Sequence, residues 1–148
     1  MNRNHEDCNG NIIDIIFLLM STRASARATA AAPDPGAVLS RAAVRAATLL
    51  GISQLVLADI IGVSPATMSR IASGRKQLEP GSKPWQLAAL FLRLFRDLDA
   101  IVGSNDAAAS AWMRGQHLAL GGVPLDLVRD PAGLVRTIDY LDAARARL

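Results

Sequence analysis

The side chains with the clearest chemical role are the hydrogen-bonding groups of residues 64–76. Hydroxyls, a guanidinium and methyl groups at helical spacing are suited to contact base edges in the DNA major groove. We expect Arg70 to make a bidentate contact with guanine, and Thr67 or Ala66 to contact a thymine methyl. Gln54, upstream, is placed to bind a phosphate. The full predicted DNA-contacting set is Gln54, Ser64, Pro65, Ala66, Thr67, Ser69, Arg70, Ser73, Arg75 and Lys76.

Two short helices must position these groups. Ser53 is a preferred N-cap for a helix over residues 54–61, and Gly62 suits the sharp turn that follows. Ser64 is a second N-cap, and Pro65 occupies a first helical turn, where its missing N–H costs nothing. This pattern predicts a helix-turn-helix whose second helix enters the major groove. The alternative is an ordinary helical hairpin with a glycine turn.

Positive charge is concentrated around this motif. Residues 21–83 contain 8 Lys or Arg against 3 acidic residues, a net +5, whereas residues 84–148 contain 7 of each. Residues 1–20 contain 1 basic residue against 3 acidic ones, so the whole chain carries only +3. A local positive excess is what a phosphate-binding face requires. The alternative explanation is an arginine-rich surface that follows from genome composition.

No residue pattern indicates catalysis. His117 is the only histidine outside the first 33 residues, and no titratable group lies at a spacing that would activate it. The sequence has no metal-ligand cluster, phosphate-binding glycine loop or nucleophile motif, so we expect no enzyme activity, metal or cofactor. Cys8 is the only cysteine, which fits a cytoplasmic location. The apolar run over residues 12–20 is too short to span a bilayer, so we expect no membrane association.

Three segments of different composition are expected. Residues 1–33 are predicted to be a disordered leader, and we hypothesise that translation starts instead near Met20. Residues 34–80 are predicted to form the helix-turn-helix DNA-binding domain. A turn-rich linker separates it from residues 84–148, a second helical domain. No run alternates with the period of a strand, so the predicted fold is all-α, with the two domains joined by a long helix.

That long helix, over residues 84–102, carries two apolar stripes that cover more than half of its surface. One stripe is sufficient for a small core, so the other is predicted to join a second copy of the chain. Burial of both stripes within one monomer is the alternative. The predicted dimerisation residues are Leu87, Phe91, Leu94, Leu98 and Ile101.

Four short sequences follow one another in the C-terminal region: Ala111-Trp112-Met113, Leu120-Gly121-Gly122, Pro124-Leu125, and Gly133 to Tyr140-Leu141. In this order they resemble the toxin-binding domain of the Xre/MbcA/ParS antitoxin family. Residues 53–74 resemble the Xre-like helix-turn-helix that accompanies that domain. The resemblance covers roughly residues 36–148 of the sequence.

The resemblance implies an antitoxin of a type II toxin–antitoxin system. Its partner would be a RES-family toxin that consumes NAD, and its helix-turn-helix would bind operator DNA and repress its own operon. It also implies a homodimer within a hetero-oligomeric complex, in which the C-terminal region covers the entrance to the toxin's active site. By position, the toxin-binding residues would be Trp112, Gly121, Gly122, Pro124, Leu125, Arg145, Arg147 and Leu148.

Two functions from different classes therefore remain open at this point. In the first, the chain both represses transcription and neutralises a toxin. In the second, it is a stand-alone transcription regulator whose C-terminal domain only dimerises or senses a ligand. A gene for a small RES-type protein next to this one would favour the first.

Overall fold

The computed structural model describes residues 32–147, and the regular elements within that range are helices. In chain order they are α1 (Pro35–Leu49), α2 (Gln54–Ile61), α3 (Pro65–Ala72), α4 (Lys83–Val102), α5 (Asp106–Arg114), α6 (Pro124–Leu127) and α7 (Pro131–Arg145). The predicted all-α class is confirmed. The predicted leader lies outside the described residues except for its last two positions, as do Cys8 and the hypothesised start at Met20.

Side-chain caps fix where the first helices begin. The Oγ atoms of Ser53 and Ser64 accept backbone N–H groups of α2 and α3 at 3.3 and 3.2 Å. Gly62 ends α2 in the left-handed region, with φ of 71°, which a glycine adopts without steric cost. Four further helices, α1, α4, α5 and α7, have side-chain N-caps, which are Asp34, Ser82, Asn105 and Asp130 in that order. These local signals explain why the helix starts agree closely with the sequence prediction.

The central helix is α4, which packs against α1, α2, α5 and α7. Phe91, Leu94 and Leu98 are 0% exposed and Leu87 is 9% exposed, although only one chain is present. This corrects the expected dimer seam: of its five residues, only Ile101 is not fully buried. The physical reason is that α4 is covered within one chain by α1, α2, α5 and α7. A second copy therefore has to use another surface.

A buried serine connects α1 to the chain that follows α3. The hydroxyl of Ser40 donates to the carbonyl of Gly36 at 2.6 Å and accepts the backbone N–H of Leu78 at 2.8 Å. Ser40 is 3% exposed, so both partners satisfy a polar group that water does not reach. The segment between α3 and α4 is thereby held against α1.

The predicted domain boundary at residues 80–84 coincides with the turn before α4. By packing, however, residues 33–148 form one compact unit. The reason is the shared helix α4, which contacts helices from both sides of that boundary. The division into residues 34–80 and 84–148 stays a prediction about which part binds which partner.

Candidate nucleic-acid interface and partner surface

Helices α2 and α3 have the geometry of a helix-turn-helix. The chain bends by 110° between them, within the range typical of this motif. The residues that face inward are Leu57, Ala58, Ile60 and Ile61 on α2 and Met68 and Ile71 on α3. No single helix among residues 32–147 is long and apolar enough to cross a membrane. The bent α2–α3 pair reaches that length and apolar composition only when the two helices are counted together.

The predicted outer face of α3 is open to solvent. Its exposed residues are Pro65, Ala66, Ser69, Arg70 and Ser73, and Gln54 is exposed at the first position of α2. Thr67 is half-buried, and its hydroxyl accepts a hydrogen bond from Ser64 Oγ at 3.0 Å, as part of the helix cap. The predicted contact set is thus brought together on one face, with Thr67 less accessible than the others.

The chain after α3 folds back beside the end of this helix. The carbonyl oxygen of Arg70 accepts the backbone N–H groups of Arg75 at 2.8 Å and Lys76 at 3.0 Å. The Nε of Arg75 donates to Ser73 Oγ at 3.0 Å. Because both cations are exposed, they extend the surface of α3 with positive charge where a DNA backbone would pass.

Cations near α3 are not neutralised by the rest of the fold. Arg41, Arg45, Arg70, Arg75 and Lys76 take part in no ion pair within residues 32–147, and the arginines that do so lie from residue 93 onward. A groove of about 510 Å³ separates α1 from the end of α3. Its lining includes Arg41, Arg45, Ser73 and Gly74. This half of the molecule therefore presents an unpaired positive surface, as phosphate binding requires.

A closed turn connects α5 to α6 in the other half. His117 and Gly122 exchange backbone hydrogen bonds of 3.0 and 3.3 Å, and Gly121 adopts a φ of 77°. The imidazole of His117 lies 4.5 Å from the ring of Trp112, between centroids, and its Nε2 lies 2.9 Å from the Trp112 carbonyl oxygen.

The predicted toxin contacts of this region differ in accessibility. Gly121 is exposed, whereas Trp112, Gly122 and Leu125 are half-buried and Pro124 is buried. Pro124 opens α6 and is buried within the chain, so its ring does not offer a direct contact. Trp112 also stacks on Tyr140, with ring centroids 6.4 Å apart, so part of its indole belongs to the fold.

A buried carboxylate lies where α4 meets the last turn of α7. Asp97 is 0% exposed, and its Oδ1 accepts a hydrogen bond from Arg145 Nη1 at 3.0 Å. Arg93 and Arg96 approach the same carboxylate at 3.7 and 3.8 Å, and Arg93 also hydrogen-bonds to Asp142. Burial raises the pKa of Asp97, and the negative charge of Asp142 raises it further, against the effect of the three arginines.

The sequence prediction did not single out Asp97. The signal was present, since Asp97 follows Leu94 by three positions and precedes Ile101 by four, which puts it on an apolar stripe. Arg145, predicted to contact a toxin, is bound to Asp97 within the chain. Arg147 is exposed and hydrogen-bonds only to a carbonyl of its own helix, and the side chain of Leu148 lies outside the described residues.

Two known domain families match the two parts of the chain, the helix-turn-helix part and the C-terminal part. Residues 29–93 match the antitoxin Xre-like helix-turn-helix domain, and residues 97–147 match the antitoxin Xre/MbcA/ParS C-terminal toxin-binding domain. No curated protein sequence matches the chain significantly. The fold and its surfaces define a DNA-binding protein that carries a second, partner-binding region. More specifically, the chain belongs to the Xre/MbcA/ParS antitoxin family, which confirms the resemblance noted in its sequence.

Proposed function

We propose that this protein neutralises a RES-type, NAD-consuming toxin by direct binding and represses its own operon through the helix-turn-helix. It acts in the cytoplasm and has no catalytic function of its own. The observation that carries the proposal is the presence, on one compact unit, of an unpaired cationic helix-turn-helix face and a matched toxin-binding region. The two surfaces differ in charge and chemistry, as the two partners do.

On DNA, α3 enters the major groove and its exposed side chains meet base edges. Arg70 donates to guanine, while Arg75 and Lys76 contact phosphates on the strand beside the end of the helix. Gln54 and the N-terminal N–H groups of α2 bind a second phosphate. Arg41 and Arg45 add charge along the groove next to α3. Operator affinity is therefore strongly salt dependent.

The protein binds its operator as a homodimer, because one α3 covers only a half-site. The side chains of α4 that were expected to form the seam are buried within one chain, so the two-fold contact uses another surface. Sedimentation of the full chain, alone and with operator DNA, measures the stoichiometry. A single chain bound per operator would contradict dimeric binding.

The experiment that tests the function combines two measurements on the full chain. In the first, cells expressing the RES-type toxin that this proposal expects to be encoded beside this gene are scored for growth and NAD content, with and without the antitoxin. In the second, purified protein is titrated with a DNA fragment carrying its own promoter at several salt concentrations. We expect restored growth and NAD, and specific binding that weakens as salt rises.

The two measurements separate the proposal from its alternative. Specific operator binding without toxin binding or protection would favour a stand-alone regulator, whose C-terminal part only dimerises or senses a ligand. Growth arrest by the toxin without a fall in NAD would exclude NAD consumption as the toxin's activity. Binding to all DNA with equal affinity would remove operator recognition from the function.

A further inference from the structure

Leu118 is the most exposed large apolar side chain in the described part of the molecule. It is 92% exposed, compared with 63% for Leu55 and 43% for Val135. Single exposed leucines are common on protein surfaces and carry no meaning by themselves. The significance of Leu118 depends on how the backbone holds it.

The backbone around Leu118 is fixed by hydrogen bonds. Its carbonyl oxygen accepts the N–H of Gly121 at 3.1 Å. The carbonyl oxygen of the preceding residue, His117, accepts N–H groups from Leu120, Gly121 and Gly122 at 3.1, 3.0 and 3.3 Å. Exposure of the leucine therefore results from a closed turn that points it outward, and not from fraying of an open loop.

The base of the turn is anchored in the fold. Leu120 is 4% exposed, so the turn buries one leucine and presents the other two positions away. The imidazole of His117 packs on Trp112, which stacks in turn on Tyr140 of α7. Leu118 therefore projects from a turn that is anchored to α5 through Trp112 and to α7 through Tyr140.

The sequence neighbours of Leu118 are uncharged. Residues 115–123 contain no Asp, Glu, Lys or Arg, and Ala119 and Gly121 are exposed beside the leucine. Such a surface cannot neutralise phosphate, which argues against nucleic acid as its partner. Small and apolar groups around a projecting leucine match a water-excluding pocket on another protein.

We propose that Leu118 is the anchor of the toxin interface and inserts into an apolar pocket on the toxin. The inference rests on the proposed function, because the turn lies within the matched toxin-binding domain at residues 97–147. A preorganised side chain loses little conformational entropy when it binds. The predicted contacts Trp112 and Gly121 then have defined tasks, the first as support and the second as the left-handed residue that closes the turn.

The test compares Leu118→Ala with two matched controls, Leu55→Ala and Val135→Ala, which truncate the other exposed apolar side chains of the described fold. Affinity of the full chain for the purified toxin encoded beside this gene is measured, together with melting temperature and operator binding. Because full burial of a leucine is lost, we expect toxin binding by Leu118→Ala to weaken about 10- to 100-fold. Both controls should bind toxin as the unchanged protein does.

Leu118→Asp is the second variant, and it should abolish toxin binding while operator affinity and melting temperature stay unchanged, since the side chain contributes little to the fold. If the unchanged protein binds toxin and both Leu118 variants bind equally well, the anchor assignment is overturned and the proposed function remains. If the unchanged protein does not bind the toxin, the proposed function is wrong, and the anchor assignment is overturned with it. If the variants instead alter the oligomeric state, Leu118 contacts a second copy of this chain and the assignment is overturned.

Discussion

Arg145 donates a hydrogen bond to the buried carboxylate of Asp97 at 3.0 Å, and this contact ties the last turn of α7 to α4. The two residues are 48 positions apart in sequence, so the contact joins the end of the described chain to its central helix. Arg147, only two residues further, makes no comparable contact within residues 32–147. The end of α7 therefore contains one arginine that belongs to the fold and one that faces solvent.

This difference predicts unequal effects on stability. Arg145→Gln removes a charge-assisted hydrogen bond from a buried acceptor, and we expect a loss of about 1–2 kcal/mol, reduced by the partial exposure of the guanidinium. Arg147→Gln is the matched control and should leave the free energy of unfolding unchanged. Urea denaturation monitored by circular dichroism measures both. Equal stability of the two variants would show that the pair with Asp97 contributes nothing.

The raised pKa of Asp97 predicts a pH dependence of stability. Between its ordinary pKa of 3.8 and the raised value, the folded chain binds more protons than the unfolded chain. The contribution of Asp97 to the free energy of unfolding therefore decreases as pH rises through this window, and is constant on either side. The difference between the unchanged protein and Asp97→Asn, measured by urea denaturation at a series of acidic pH values, should show this slope. A difference that increases with pH would mean that the arginines outweigh burial.

Substitutions on the DNA face should separate specificity from affinity. Arg70→Ala should cost about 1–3 kcal/mol and relax base preference at one position of each half-site, because one base contact is lost. Arg75→Ala or Lys76→Ala should weaken binding to all sequences and flatten its salt dependence, because phosphate contacts are lost. Titrations with operator and unrelated DNA at several salt concentrations distinguish these outcomes. Full specificity in Arg70→Ala would remove Arg70 from base recognition.

Gly133 allows α7 to approach the end of α6. A Cβ built on it would lie 2.1 Å from the carbonyl oxygen of Leu127, a backbone atom that cannot move aside. Gly133→Ala should therefore destabilise the fold by about 3 kcal/mol or more. Gly121→Ala is the control: its Cβ meets open space, and its positive φ alone should cost about 1–2 kcal/mol. Thermal unfolding ranks the two, and a milder effect at Gly133 would contradict the tight approach of the helices.

The helix-turn-helix was predictable because its determinants are local. Ser53, Gly62, Ser64 and Pro65 each act within a few residues of their own position, so their types specify where α2 ends and α3 begins. Nothing distant had to be known to place the outer face of α3.

Which stripe of α4 is buried within one chain could not be predicted, because burial depends on which helices pack against it. The sequence showed two apolar stripes but did not specify their partners, and the stripe expected to form the dimer is buried within one chain. Leu118 was missed for a related reason, since an outward leucine and the inward Leu120 two residues later look alike in a sequence. Asp97 was missed because the arginine that hydrogen-bonds to it, Arg145, lies on another helix, 48 residues further along the chain.

The boundary between the two family matches falls at residues 94–96, in the middle of α4. The ion-pair network crosses that boundary, because Arg93 belongs to the first match and bonds to Asp142 in the second. A recombinant that exchanged toxin-binding domains between family members at this point would inherit Arg93 from one parent and Asp97, Asp142 and Arg145 from the other. An exchange that keeps Arg93, Asp97, Asp142 and Arg145 from one parent leaves this ion-pair network intact.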